Sequence, residues 1–242
     1  MELIVVAGAL VLASLLMGLT GFGFAIVAVS LISFVWPVRQ IVPFLFVYNV
    51  VINLVLLAQL RNHVHPRRIA VQMAGFVPGA LLGLYALIQL PDTLLKLVIG
   101  ITLMGFALWS LARTDGVRGE LHWAWNGSAG VVSGLLGGAI YMAGPPIIVL
   151  NALTHMDRFA FKADLQAFFL LSNLYLAVAY GSMGLFSWSL FRLNIYLAPL
   201  MLAGVAAGSL ICRRISNQRF QGLAHLLLMV MGIILVWREL AT

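Results

Sequence analysis

The sequence predicts an all-α integral membrane protein built as two inverted repeats, each a glycine-broken helical hairpin followed by three transmembrane helices. Three observations predict it. The chain is 63% hydrophobic and only 9% charged, where a soluble domain carries roughly 25% charged residues. Fourteen basic and seven acidic side chains in 242 residues cannot clothe a soluble surface. Its uncharged runs fall into two groups of four, and each group opens with a run too long for one crossing and too short for two. Finally, the basic residues take a clear sidedness only if those two long runs bend back on themselves.

The first repeat, 1–115, opens with the run 3–38, interrupted near its middle by GLTGFG at 18–23. Glycine costs a helix interior about 1 kcal/mol relative to alanine, and proline about 3, so a break is expected there. MELIVV lacks the basic start of a secretory signal, so this segment is expected to belong to the mature fold. Spans 40–60, 69–91 and 93–112 follow, each suited to one crossing. RTDGVRGE at 113–120 joins the halves. The second repeat, 118–242, opens with 121–156, interrupted by GLLGGAIYMAGPP at 134–146, and continues with spans 165–187, 193–212 and 220–237. PGALLG at 78–83 is echoed by AGVAAG at 203–208, and MGFALW at 104–109 by MGIILVW at 231–237. These echoes run in the same order as the two glycine breaks.

Eight single crossings would divide the lysines and arginines evenly between the two sides. Re-entrant hairpins instead gather Arg61, Arg67, Arg68, Arg113, Arg118, Arg158, Lys162, Arg213, Arg214 and Arg219 on one side. Only Arg39, Lys96, Arg192 and Arg238 lie opposite. The positive-inside rule selects this arrangement and makes the crowded side cytoplasmic. Three crossings per half invert the second half relative to the first, a plan common among secondary transporters. Both termini then lie outside the cytoplasm. A reporter fused after Thr242 should be active outside, and a cytoplasmic reporter would overturn this topology.

Non-helical backbone at membrane depth must be buried in protein or line a wet cavity. Two inverted bends near the midplane supply such a cavity. The half-helix after each bend begins with unpaired N–H groups at the positive end of its dipole, which suits an anion. The candidate binding residues are therefore Thr20, Gly21, Phe22, Gly23 and Ser30 in the first half, and Gly137, Gly138, Tyr141, Gly144, Pro145 and Pro146 in the second. Close helix packing is the alternative role for the glycines. Phe22 and Phe24 flank the first bend as gate or packing residues. Asn49 and Asn53 share a helix face, and Asn173 occupies a matching place in the second half. These amides suit a desolvated oxyanion, with inter-helix hydrogen bonding as the alternative.

No acidic or basic residue lies deep in a predicted span, which argues against a buried carboxylate relay. Asp164 beside Lys162 is expected to form an interfacial pair at a helix start, with carboxylate-linked coupling as the sharper alternative. Gln72, Asn151, Gln166 and Ser172 are assigned to helix ends or packing contacts. RNHVHPRR at 61–68 reads as a basic loop against anionic lipid rather than a metal site. The single cysteine, Cys212, excludes an internal disulfide and a cysteine-based metal centre.

TGFGFAIVAVSL at 20–31 and GLLGGAIYMAGPPIIVL at 134–150 resemble the two signatures of the sulfite exporter TauE/SafE family. These are a GFG element with an apolar stretch, and a glycine-rich run ending in GGPP. The resemblance implies a multi-pass protein of the cytoplasmic (inner) membrane of a prokaryote that transports sulfite, thiosulfate, sulfoacetate or another sulfur-containing or organic anion. Lys162 falls where the family often has a basic residue, suited to drawing anions to the cytoplasmic mouth. Ser30 stands where the family usually has proline, and Ala25, Tyr141 and Ala143 where glycine is commoner. Tyr141 thus brings a phenol into the second bend and implies a reshaped pocket.

The expected function is secondary transport of a small anion by alternating access, not catalysis. An anion channel with the same lining residues and a non-catalytic membrane assembly factor are the alternatives. The expected partners are the small anionic substrate and the lipid bilayer, with a proton or sodium ion as candidate coupling ion. No nucleic acid, metal or organic cofactor is expected.

Overall fold

The computed structural model describes residues 2–20, 23–111, 122–154, 158–184 and 188–212, with scattered positions between 229 and 237. Every regular element among them is helical. In chain order these are α1 (Glu2–Thr20), α2 (Phe24–Ile32), α3 (Val38–Leu60), α4 (Pro66–Gln89), α5 (Asp92–Leu111), α6 (Trp123–Ile140), α7 (Gly144–Ala152), α8 (Arg158–Ser182) and α9 (Trp188–Cys212), with a 3-10 turn at Arg61–His63 between α3 and α4. Val38–Ala58, Pro66–Gln89, Asp92–Trp109 and Phe159–Ser182 are long and apolar enough to cross a bilayer. They fall on the predicted spans 40–60, 69–91, 93–112 and 165–187. Arg192–Gly208, overlapping the span predicted at 193–212, is a shorter apolar stretch. The linker 113–120 and all but isolated positions of 220–237 lie outside the described residues.

Both long runs break, but the second does so at 141–143 and keeps Gly134, Gly137 and Gly138 of the predicted break inside a helix. α1 ends at Thr20 and α2 restarts at Phe24; α6 ends at Ile140 and α7 restarts at Gly144. The arms match in length, 19 and 9 residues in the first pair and 18 and 9 in the second. At 1.5 Å per residue a short arm is about 14 Å long, under half of a ~30 Å hydrocarbon core. Each short arm packs on its own long arm.

The chain forms two compact units. One comprises Met1–Leu45, Leu90–Arg113 and Phe186–Thr242. Here α1 runs along α9, and the small residues of AGVAAG let the backbones approach. A Cβ on Gly208 would overlap the Leu15 carbonyl oxygen, and one on Gly204 would lie 2.7 Å from Ser14 Cβ. Asp92 of α5 starts α3 by accepting the Val38 N–H at 2.8 Å, and its other oxygen lies 2.8 Å from Lys96.

The second unit comprises Phe46–Gln89 and Thr114–Leu185, and its spine is α4 against α6. Gly75, Gly79 and Gly83 of α4 face the backbone of Gly127, Val131 and Leu135. Gly130, Gly134 and Gly138 of α6 face that of Gln72, Phe76 and Ala80 in return. A Cβ on any of these six would overlap a carbonyl oxygen of the partner helix. Small residues let membrane helices meet at backbone distance, where dispersion and weak Cα–H···O contacts accumulate. Each unit therefore draws helices from both halves of the chain.

Asp164 corrects one expectation. Its side chain is fully buried, and it pairs with the start of α4 rather than with Lys162. The carboxylate accepts the His65 N–H at 2.7 Å, and its other oxygen lies 3.3 Å from His65 Nδ1 and 3.6 Å from Arg68 Nη1. Residues two apart on a helix do not face each other, which leaves Lys162 exposed while Asp164 points into the unit and fastens α8 to α4.

Candidate functional site

The second break is a sharply defined bend. Tyr141 adopts φ 59° and ψ 27°, and it is the single non-glycine at positive φ among the described residues. An L side chain in this left-handed region costs about 1–2 kcal/mol. The turn is closed by hydrogen bonds from Tyr141 N–H to Gly137 O at 3.0 Å and from Met142 N–H to Leu136 O at 3.2 Å, a left-handed cap that satisfies the last carbonyls of α6. The Tyr180 hydroxyl lies 3.3 Å from both the Gly137 and Gly138 carbonyls. The Ser133 hydroxyl donates to the Ala143 carbonyl and so stitches α6 to the bend.

The phenol of Tyr141 turns inward and is 4% exposed. Its hydroxyl donates to Asn173 Oδ1 at 2.6 Å, and the Asn49 side chain hydrogen-bonds the same hydroxyl. Because its one proton is committed to Asn173, the Asn49 contact is a donation to the phenol oxygen. Three residues singled out separately in the sequence, Asn49 on α3, Tyr141 at the bend and Asn173 on α8, thus meet at one oxygen. One turn beyond Asn49, Asn53 is 1% exposed. Among the described residues, neither atom of its amide has a hydrogen-bond partner. A buried polar group left unpaired costs about 1–3 kcal/mol.

The remaining predicted residues divide by role. Gly137 packs under the Phe76 ring, and Gly138 lies against α4 backbone, so both serve packing whatever else they do. Gly144 is buried at the start of α7, where a Cβ would lie 3.4 Å from Phe169 and from Ile148. Pro145 and Pro146 occupy the first turn, where no intrahelical bond is lost. They also remove two N–H groups that a helix start would otherwise present.

In the other unit, Gly23 caps α2 at φ 96°, and a Cβ there would meet nothing within 4 Å. Val27 N–H to Gly23 O makes the first intrahelical bond at 3.1 Å, so the N–H groups of Phe24, Ala25 and Ile26 precede it. The Ser30 hydroxyl donates to the Ile26 carbonyl at 2.5 Å, which commits its proton within the helix. Thr20 ends α1. Gly21 and Phe22 lie outside the described residues.

Sequence reasoning missed Tyr180, Ser133 and Asn126. Tyr180 lies two turns beyond Asn173 on one helix face, a spacing that flags it. Asn126 belongs to an amide cluster in which Gln72 Nε2 donates to Asn126 Oδ1 at 3.1 Å and to Asn151 Oδ1 at 3.3 Å. It ties α4, α6 and α7 together, so Gln72 and Asn151 make packing contacts.

The family model described as sulfite exporter TauE/SafE matches residues 6–235. No curated protein and no solved structure matches the chain.

Proposed function

Since the chain belongs to the sulfite exporter TauE/SafE family, whose members carry sulfite or related anions across membranes, we infer that it is a secondary transporter. It moves a small anion across the cytoplasmic membrane by alternating access and holds that anion at the bends that interrupt its two long segments. The observation that carries this reading is the meeting of Asn49, Tyr141 and Asn173 at the second bend, with the unpartnered Asn53 amide one turn away. Neutral amide and hydroxyl groups replace part of an oxyanion's hydration without the added charge–charge attraction of a buried cation, which is strong at low dielectric. Release then stays possible.

The bends take up complementary parts in this reading. At the first, the N–H groups that open α2 form the positive end of its helix dipole. At the second, two prolines thin out the backbone donors, and side chains take over. The matched arms, 19 and 9 residues against 18 and 9, support an inverted pair of re-entrant hairpins within repeats 1–115 and 118–242. An 18-residue arm rises about 27 Å, so it must tilt or start in the headgroup layer for its bend to reach midplane depth. Trp123 and Trp125, exposed at the start of α6, suit an interfacial start.

The reading is tested by thermal unfolding of the purified protein with sulfite, sulfate, thiosulfate, sulfonates and carboxylates. Ligand at 100 times its dissociation constant should stabilise the native state by about 2.7 kcal/mol. Absence of a shift with every anion would sink the proposal. Saturable counterflow in liposomes is expected, in contrast to a channel's unsaturated flux.

A further inference from the structure

We propose that the Tyr141 side chain sets the size limit of the transported anion, so that the protein takes a compact inorganic oxyanion and rejects one carrying a two-carbon arm. This rests on the reading of the second bend as the binding site. The backbone at Tyr141 has a conformation that glycine adopts freely and other residues rarely do. The chain nevertheless places its bulkiest kind of polar side chain there. The ring is buried, and its hydroxyl is tied to Asn173 and Asn49, so it cannot swing aside without breaking both bonds.

The bend holds little other room. A Cβ on Gly137 would already lie 3.0 Å from Ala143 Cβ and 3.2 Å from the Phe76 ring, and one on Gly144 would touch Phe169 at 3.4 Å. Trimming the phenol is therefore the substitution that adds most volume at this bend. What the cluster leaves for a ligand is polar and compact: the fully buried amide of Asn53, without a partner among the described residues.

The test uses full-length protein in liposomes, with uptake of radiolabelled sulfite competed by ethanesulfonate. Tyr141→Gly suits the backbone and removes the ring. Tyr141→Asn is a second trimmed variant that tolerates the left-handed conformation, should the glycine variant fail to assemble. Both should improve ethanesulfonate competition relative to sulfite by about tenfold or more, the scale set by steric pocket discrimination. Tyr141→Phe keeps the ring but frees it from Asn173 and Asn49, so its ratio should fall between those of the wild type and the trimmed variants. An unchanged ratio in both trimmed variants overturns the proposal, as does a wild type that accepts ethanesulfonate as readily as sulfite.

Asn53→Ala separates the two levels of the argument. A raised KM for sulfite in that variant, with an unchanged ratio in the Tyr141 variants, removes the size role alone. An unaltered KM removes the bend as binding site, and wild-type protein without sulfite uptake overturns both.

Discussion

Gly134→Leu should leave no folded protein in the membrane, and Gly134→Ala should already cost about 1–3 kcal/mol of stability, the range for overpacked interiors. A Cβ at this position overlaps the Phe76 carbonyl oxygen and lies 2.6 Å from the Ala80 nitrogen. Both obstacles are backbone atoms of α4, which no rotamer change can move. The helices must separate, and in separating they abandon the contacts of Gly75, Gly79, Gly83, Gly130 and Gly138 as well. Gly105 of α5 is the control, because a Cβ there meets nothing within 4 Å. Gly105→Ala should be neutral or gain up to about 1 kcal/mol from helix propensity. Yield after detergent extraction and the midpoint of thermal unfolding measure both. Wild-type values for Gly134→Leu would show that α4 and α6 do not touch there.

Gly144→Leu should abolish transport while the protein still reaches the membrane, whereas Gly144→Ala should transport normally. The Cβ of alanine fits at ordinary contact distance from Phe169 and Ile148. The branched end of leucine has to enter the space of the Phe169 ring on α8, or push the start of α7 away from it. The adjoining residues are those of the bend, so the displacement falls on the proposed binding site rather than on the α4–α6 spine. Sulfite flux and counterflow, measured beside expression level, distinguish the outcomes. Normal flux with leucine at this position would remove the start of α7 from the mechanism.

Hydropathy and helix breaking are local properties, and what depends on them was legible. The spans at 40–60, 69–91, 93–112 and 165–187 follow from runs of apolar residues, and the breaks near Gly23 and Tyr141 follow from residues that helices tolerate poorly. Partner choice is not local. The small residues at 75, 79 and 83 and those at 130, 134 and 138 are visible in the sequence, yet nothing in either pattern names the other as its mate. Asp164 shows the same limit. Lys162 was the nearest countercharge along the chain, but helix geometry turns it away, and the backbone donor comes from a residue 99 positions distant. For the candidate site, the residue types at 49, 141 and 173 were readable as polar groups in apolar surroundings. Their meeting at one phenol oxygen was not. Tyr180 escaped because a lone tyrosine in an apolar run reads as core or interface, and only the fold reveals the carbonyls it braces.

The glycine contact between α4 and α6 also decides which parts can move. Two helices interlocked at backbone distance cannot slide or roll past one another in small steps, so they travel as a single strut. α4 comes from the first half of the chain and α6 from the second, and the same is true of α1 with α9. Each half is thus riveted to the other at two places. A swing of one sequence repeat against its counterpart would have to pull both of these contacts apart.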